Sequence, residues 1–507
     1  MKKKDIGSMR STLDWLEEEG ELLTVEREVD PIYEIAGIQK VLEGGPALLF
    51  ENIKGYPNVR NESNAFATES RVAKMFDVSD PKKLKFKCLE AMKNPIPPKV
   101  VKDGPCQEVV ITDNIDVMAT LPIIKHTERD GGRFLGGGNI LLTGKYFGAG
   151  AHISFNRASF RGKDWATICA LSTTHLGDRA RVKRDEMIPV TLNISTPPAV
   201  KIVAATHFLH TMVPPGSDEL GFAGGLQGFP VEIVKAKTVD AYAIANAEWV
   251  IEGYIDTTQR VWETEESEKI GKWGVAPFFP EWTGHLGRAT KNFKLEITAI
   301  THREDRPIFY TPLARSIDAD IMASPFREAC FYELSNRIYP GFVVDVNIIK
   351  GLASWGASVI IQVKKRRSSD EGFQRKILMS ALEAGESMRL AVAVDEDVDI
   401  YSADDILWAM TTRVDPDRDI IKSSYVGTKG MMYTRTSNVE GEMPTFLPFQ
   451  GGMGIDATVL FNAKWTCERA HYPVDRIDLK KWFSEEEISR AKAMQSEYSR
   501  LLAKTGW

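Results

Sequence analysis

Short runs of β-branched and aromatic residues, cut by glycines, fill this chain from about residue 116 to 310 and constrain its fold more than any other feature. Gly136, Gly137, Gly138, Gly144, Gly148 and Gly150 punctuate the first of these runs, and 188–194, 231–234 and 293–300 are further strand candidates. Runs too short for a helix, separated by turn residues, predict hairpins and therefore a β-barrel or sandwich. The flanks read differently. Up to the proline-rich stretch 95–98, helix and strand alternate. Residues 11–19 read as a helix, with Ser11 and Asp14 placed as a capping box and Gly20 as the stop. Residues 21–29 alternate like a strand, 31–42 have helical spacing, and 45–57 read as a buried strand entering a turn. From about 315 to 465 the alternation returns, with strands at 342–349, 358–364 and 390–395 and a helix at 404–411. Residues 484–503 read as an amphipathic helix opened by a Ser484/Glu487 capping box. The expected fold class is multi-domain α/β: an N-terminal α/β domain (1–115), a central β domain (116–312), a C-terminal α/β domain (313–475) and a terminal helix (476–507).

Composition excludes several classes. Of 507 residues, 43% are hydrophobic and 26% charged, which is globular rather than disordered. A net charge of -6 argues against a nucleic-acid binder, which carries a basic face. No apolar run approaches the roughly 18 residues of a membrane span. Met1 to Asp5 is basic but no apolar core follows it, so no secretory signal is expected and the cytoplasm is the expected compartment. Cys88, Cys106, Cys169, Cys330 and Cys467 are dispersed, with no C-x-x-C pair, as reduced thiols are.

The glycine cluster contains neither G-x-G-x-x-G nor G-K-[ST], so hairpin turns are the ordinary reading. There is no H-E-x-x-H; His207 and His210 are spaced to share a helix face but lack a third zinc ligand. Three stretches carry more: 154–161 (Ser-Phe-Asn-Arg-Ala-Ser-Phe-Arg), 171–175 (Leu-Ser-Thr-Thr-His) and 214–226, which holds Asp218 and Glu219. Amide, imidazole and carboxylate together suit a divalent ion of the Mn²⁺ or Mg²⁺ kind that also touches phosphate. From spacing alone, a chance Asn156, His175 and Glu219 in strands is the better reading, because isolated residues are poor evidence of a metal site.

Taken in order, several motifs resemble the UbiD-like family of prenylated-FMN-dependent decarboxylases. They are 45–57; Asn156-x4-Arg161; His175; Asp218-Glu219 followed by Ala223-Gly224-Gly225-Leu226; 230–235; 247–253; 394–400; and 406–413. The resemblance runs from about residue 10 to 475, and the last two stretches are similar to the aromatic-acid, protocatechuate-type branch. It implies that the central domain is a split β-barrel holding prenylated FMN, whose phosphate is bridged by Mn²⁺ (or Mg²⁺) and K⁺. It assigns the metal to Asn156, His175 and Glu219, and cofactor contacts to Asn156, Arg157, Ala158, Ser159, Arg161, Thr174, His175, Glu219 and Arg389. Relatives often have Lys where Arg389 stands, and a guanidinium fork meets phosphate differently.

The resemblance also implies the chemistry: reversible, non-oxidative decarboxylation of an aromatic, heteroaromatic or conjugated acid through a covalent substrate–flavin adduct. Arg161 is expected to orient the carboxylate and hold Glu281, the proton donor. The family's acidic loop departs here: Val275 stands where the first Glu is usual, and Glu281 matches the second with one residue inserted. The histidines that surround a catechol have no clear counterpart, so a catechol acid is not the first expectation. A physiological carboxylase of a polycyclic arene, or a decarboxylase of an aromatic CoA thioester, fits the same motifs. A flavin oxidoreductase lacks its dinucleotide fingerprint, and a non-catalytic carboxylase subunit is at odds with the intact ligand set. The expected partners are the acid, CO₂, a prenyl-flavin synthase as supplier and a second copy, in a homodimer or homohexamer using the terminal helix.

Overall fold

The computed structural model describes residues 4–143, 150–170, 175–177, 186–272, 279–287, 290–351, 357–384, 388–423 and 451–496. It divides into two compact units, Met1–Lys364 with Gly372–Ala457, and Lys365–Glu371 with Thr458–Trp507.

The larger unit begins with the helix Met9–Glu18, which buries Met9, Leu13 and Leu16 at helical spacing. Its N-cap is Ser8, whose side chain accepts from the Ser11 N–H; Ser11 and Asp14 are therefore inside the helix and not its cap. Strands Leu22–Val25, Ala47–Phe50 and Arg60–Ser63 follow, and Ala47–Phe50 is buried throughout. The sheet is completed from far along the chain by Ile308–Tyr310, parallel to Arg60–Ser63.

The central sheet has nine strands. Its hydrogen-bonded path runs Phe134–Leu135, Ala158–Phe160, Trp165–Ile168, Lys291–His302, Trp249–Trp262, Met187–Ile194, Gly138–Thr143, Ala151–Phe155, with Val109–Ile111 paired beside Lys291–His302. Among the described residues this ladder stays open. One consequence decides where the chemistry sits. Ala151–Phe155 is one end of the path, and Ala158–Phe160 lies next to the other end, yet only Asn156 and Arg157 separate them in sequence. Three extended steps reach at most about 11 Å. The sheet must therefore curl until its two ends nearly meet, and Asn156 and Arg157 span the gap. Gly150, just before the seam, has no room for a side chain: a Cβ there would lie 2.5 Å from the Ser217 carbonyl oxygen.

Helices Pro198–Ala205 and Glu219–Gln227 pack on this sheet with the 22-residue helix Ile317–Ile338. That long helix was not anticipated; its mixed, Pro325-containing sequence is buried on much of its surface and shows little periodicity. A charged network pins these elements. The Lys201 ammonium meets the Glu62 carboxylate, which also accepts from the Ser195 hydroxyl (2.7 Å). Lys201 lies 3.6 Å from the Tyr310 ring centroid, and Asp318 accepts from the Phe66 N–H (2.7 Å) and the Tyr310 hydroxyl (3.2 Å). All of these side chains are buried, so each depends on its partners in place of water.

The C-terminal sheet is ordered Val343–Asn347, Ser358–Val363, Leu390–Asp395, Gly452–Ala457, Ile420–Ser423, with the middle three parallel. Helices Phe373–Ala384 and Ala403–Arg413 accompany it. Among the described residues no helix is long and apolar enough to cross a membrane.

The smaller unit is built of short turns and the helix Glu485–Met494, whose Ser484/Glu487 capping box is present as read. The remainder of 484–503 beyond residue 496 lies outside the described residues. The unit leaves Trp465 (77% exposed), Tyr472 (72%), Trp482 (62%) and Met494 (81%) facing outward.

Candidate active site

The seam opens into a cavity of about 240 Å³. Strand Ala151–Phe155 runs into it, and alternation places His152, Ser154 and Asn156 on one face. Helix Glu219–Gln227 presents Glu219 from its first turn. The Glu219 carboxylate accepts from His152 Nδ1 (2.9 Å), His175 Nδ1 (3.0 Å) and the Ile153 N–H (2.9 Å). Burial would raise this acid, but the charges and hydrogen bonds of His152 and His175 outweigh it and hold it at about 2. The ligand atoms of His152, His175 and Glu219 lie within 4.8 Å of one another. Ser154 Oγ donates to Asn156 Oδ1 (2.7 Å) and lies 3.0 Å from His152 Nε2, joining the amide to the same cluster. Imidazole, carboxylate and amide without thiolate suit a divalent ion of intermediate hardness.

A second group, around Arg157, is acidic and cationic together. Arg157 donates from Nε to Glu263 Oε1 (2.6 Å), from Nη2 to Glu263 Oε2 (3.3 Å), and from Nη1 to Glu281 Oε1. Glu263 is 1% exposed and Glu281 5%. Burial raises the Glu263 carboxyl above its ordinary value; Arg157 opposes this, and the neighbouring Glu281 adds to it. Two buried carboxylates thus share one guanidinium. Cys169 lines the cavity next to this group, its thiol pushed up to about 12 by burial.

The predicted residues divide. Asn156, Arg157, His175, Glu219 and Glu281 line one cavity. Arg161 does not meet Glu281. It sits at the turn after strand Ala158–Phe160, where Nη2 reaches Glu268 (2.5 Å) and Nη1 the Trp262 carbonyl. Four strand residues span about 13 Å, which carries Arg161 past the cavity that Arg157 enters. Ala158 and Ser159 are buried in that strand and do not line the cavity; Thr174 and Val275 lie outside the described residues. Arg389 donates from Nη1 to the Gly451 carbonyl (2.8 Å), away from the cavity lining. His207 and His210 follow the helix Pro198–Ala205 in a loop and do not share a helix face, yet both line the cavity, where His210 stacks on His175 at 4.7 Å. Sequence reasoning missed His152 and Glu263. The alternation His152, Ser154, Asn156 was a usable signal for the first; Glu263 opens an acidic run, 263–268, that reads as a solvated surface.

Comparison with known proteins identifies the family. The chain matches the N-terminal, Rift-related and C-terminal domain models of the 3-octaprenyl-4-hydroxybenzoate carboxy-lyase family, UbiD, at residues 13–86, 99–315 and 320–457. It is 30% identical over 469 residues to the gallate decarboxylase of Lactiplantibacillus plantarum, covering 88% of this chain and 92% of that one. The apo 3,4-dihydroxybenzoic acid decarboxylase of Enterobacter cloacae superposes with a TM-score of 0.80 at 28% identity, over 95% of this chain and 99% of that one. An evolved dimeric form of the UbiD-class enzyme HmfF of Pelotomaculum thermopropionicum, in complex with prFMN, gives 0.77 at 27% identity, over 94% and 100%. With all three family regions in order around one cavity, the chain belongs to the UbiD family and is a carboxy-lyase of the decarboxylase class.

Proposed function

We propose that this protein is a reversible, non-oxidative decarboxylase of an aromatic, heteroaromatic or conjugated carboxylic acid, dependent on prenylated FMN, with Glu281 as proton donor. The observation that carries this reading is the buried Glu263–Arg157–Glu281 group, whose Arg157 and Glu281 line the same cavity as Glu219. Arg157 takes the role that the sequence pattern gave to Arg161. Prenylated FMN, when bound, supplies the electron sink for the charge left in the ring plane as CO₂ departs, which no side chain can delocalise.

The chain's own residues do the rest. Arg157 attracts the substrate carboxylate and keeps Glu281 in place; Glu263, gripping the same guanidinium by two hydrogen bonds, fixes its plane. Glu281 delivers a proton to the carbon that has lost CO₂, and takes one from ring C–H in the reverse direction. Trp282, Phe279, Phe155 and Met322 add apolar surface to the cavity that Glu281 lines, which suits an aromatic substrate.

Asn156, His175 and Glu219 would hold Mn²⁺ (or Mg²⁺), which with K⁺ would supply positive charge to neutralise the cofactor phosphate; His152 orients Glu219. Arg389 remains a proposed cofactor contact although it stands away from the cavity lining; among the described residues its Nε and Nη2 are buried without hydrogen-bond partners. Ala158, Ser159 and Thr174 remain cofactor contacts on this reading, and the curled nine-stranded sheet is its split barrel. The outward aromatic residues of 458–496 support a homodimer or homohexamer. Five unpaired cysteines fit the cytoplasm, and a prenyl-flavin synthase is the cofactor's supplier.

The test is Glu281→Gln, produced with a prenyl-flavin synthase and assayed for decarboxylation and for deuterium exchange into candidate arenes. The variant keeps its shape and cofactor but loses turnover by about 10² or more. Exchange at the wild-type rate in fully loaded protein places the proton donor elsewhere.

A further inference from the structure

Next to the Arg157 group lies a cluster of edge-on rings of which the chemistry above uses only Phe279. Phe279 and Glu281 are two apart on the first arm of a short hairpin, closed by Gly287 N–H to Phe279 O (2.8 Å) and Glu281 N–H to His285 O (2.9 Å). Two-residue spacing puts both side chains on one face. Arg157 is thus held twice by this hairpin: Nη1 donates to Glu281, and Cζ lies 5.5 Å from the Phe279 ring centroid. The far side of Phe279 meets two more rings edge-on. Phe134 lies at 5.2 Å and 61°, on a strand paired with Ala158–Phe160. His126 lies at 5.2 Å and 81°. His126 is itself fixed: Asp130 accepts from its backbone N–H (2.8 Å) and from the Thr127 hydroxyl (2.5 Å), and stands 3.3 Å from Nδ1.

We propose that His126 and Phe279 are positioning residues for the proton donor: the contact chain Asp130–His126–Phe279–Arg157–Glu281 sets where the Glu281 carboxylate stands. This rests on the reading of Glu281 as that donor. His126 is buried and does not line the cavity, so it acts only through Phe279. The hairpin needs such a brace. Its two arms share few hydrogen bonds, and a displacement of about 1 Å at a reacting group costs on the order of 10²-fold in rate. Edge-to-face rings and a desolvated cation–π contact both depend on direction, so they fix the hairpin's orientation as well as its depth.

The experiment compares His126→Ala, His126→Phe and Phe279→Leu with Glu281→Gln in flavin-loaded enzyme. It measures kcat, KM, flavin content and melting temperature. His126→Ala lowers kcat by about 3–10-fold, the worth of one edge-to-face pair. Phe279→Leu, which also removes the cation–π contact, lowers it by about 30-fold. KM and flavin content stay at wild-type values in His126→Ala, which leaves the cavity lining untouched, and His126→Phe, which restores a ring edge, restores kcat. In flavin-free protein, Phe279→Leu and Arg157→Gln are non-additive in urea unfolding, because both act on one contact. Wild-type kcat in His126→Ala, an equal loss in His126→Phe, a loss that tracks flavin content, or additive unfolding energies each overturn the proposal. The two readings separate cleanly. Wild-type exchange in Glu281→Gln removes the donor assignment; an inactive Glu281→Gln beside an unaffected His126→Ala removes only the positioning.

Discussion

Arg157→Gln against Arg161→Gln is the sharpest comparison available, because the two arginines share a strand pattern and differ in what they touch. Arg157 makes three charged hydrogen bonds to Glu263 and Glu281, both almost wholly buried. Removing one member of a buried pair costs about 3–5 kcal/mol, because the remaining charge is left uncompensated. Here that cost falls on the site, where both carboxylates lose the cation they share. At about 1.4 kcal/mol per tenfold, a loss of some 3 kcal/mol in transition-state stabilisation is about 10²-fold in kcat/KM. Arg161 pairs with Glu268, a side chain 61% exposed, and with one backbone carbonyl. An exposed pair is worth about 0–1 kcal/mol and a neutral-acceptor hydrogen bond about 1 kcal/mol, so Arg161→Gln loses at most about 30-fold. Both variants are loaded with prenylated FMN and assayed for decarboxylation and deuterium exchange at matched flavin content. Full activity in Arg157→Gln with a hundredfold loss in Arg161→Gln refutes the reasoning and returns the catalytic role to Arg161.

Three further outcomes follow from the geometry. Glu219→Ala removes the acceptor that gathers His152 and His175, and is expected to lose both metal and flavin; full flavin occupancy with no metal by elemental analysis defeats the ligand assignment. Burial pushes Asp318 up from its ordinary 3.8 to about 6, so the folded protein holds this proton more tightly than the unfolded chain. Its effect on stability is therefore unfavourable as pH rises from about 4 to about 6, by roughly 3 kcal/mol in all, and Asp318→Asn is more stable than wild type in urea at pH 7 and equal at pH 4; a less stable variant at pH 7 refutes this. Deleting residues 458–507 removes Trp465, Tyr472, Trp482 and Met494 from the surface and is expected to yield monomers where the full chain is oligomeric; a monomeric full chain by light scattering at micromolar concentration, or an oligomeric truncation, counts against the interface.

Local order was largely legible in the amino acids. Strand candidates 188–194, 293–300, 358–364 and 390–395 appear as Met187–Ile194, Lys291–His302, Ser358–Val363 and Leu390–Asp395, because β-branched runs bounded by turn residues have no competing local structure. The capping box at Ser484 and Glu487 was readable because all its partners lie within one turn. The metal-type residues Asn156, His175 and Glu219 were legible only through family motifs; nothing in their spacing says that they converge.

Tertiary structure alone decided which arginine meets Glu281, that Glu263 shares it, and that His152 joins Glu219. Each is a contact between segments far apart in sequence. Arg157 and Arg161 offer identical chemistry and the same strand parity, so only the curl of the sheet, which brings its two ends together at Asn156 and Arg157, distinguishes them. Sequence carries the propensity of each strand and the chemistry of each side chain. The closure that sets one guanidinium between two buried carboxylates depends on register and curvature summed over nine strands, and no local pattern encodes that sum.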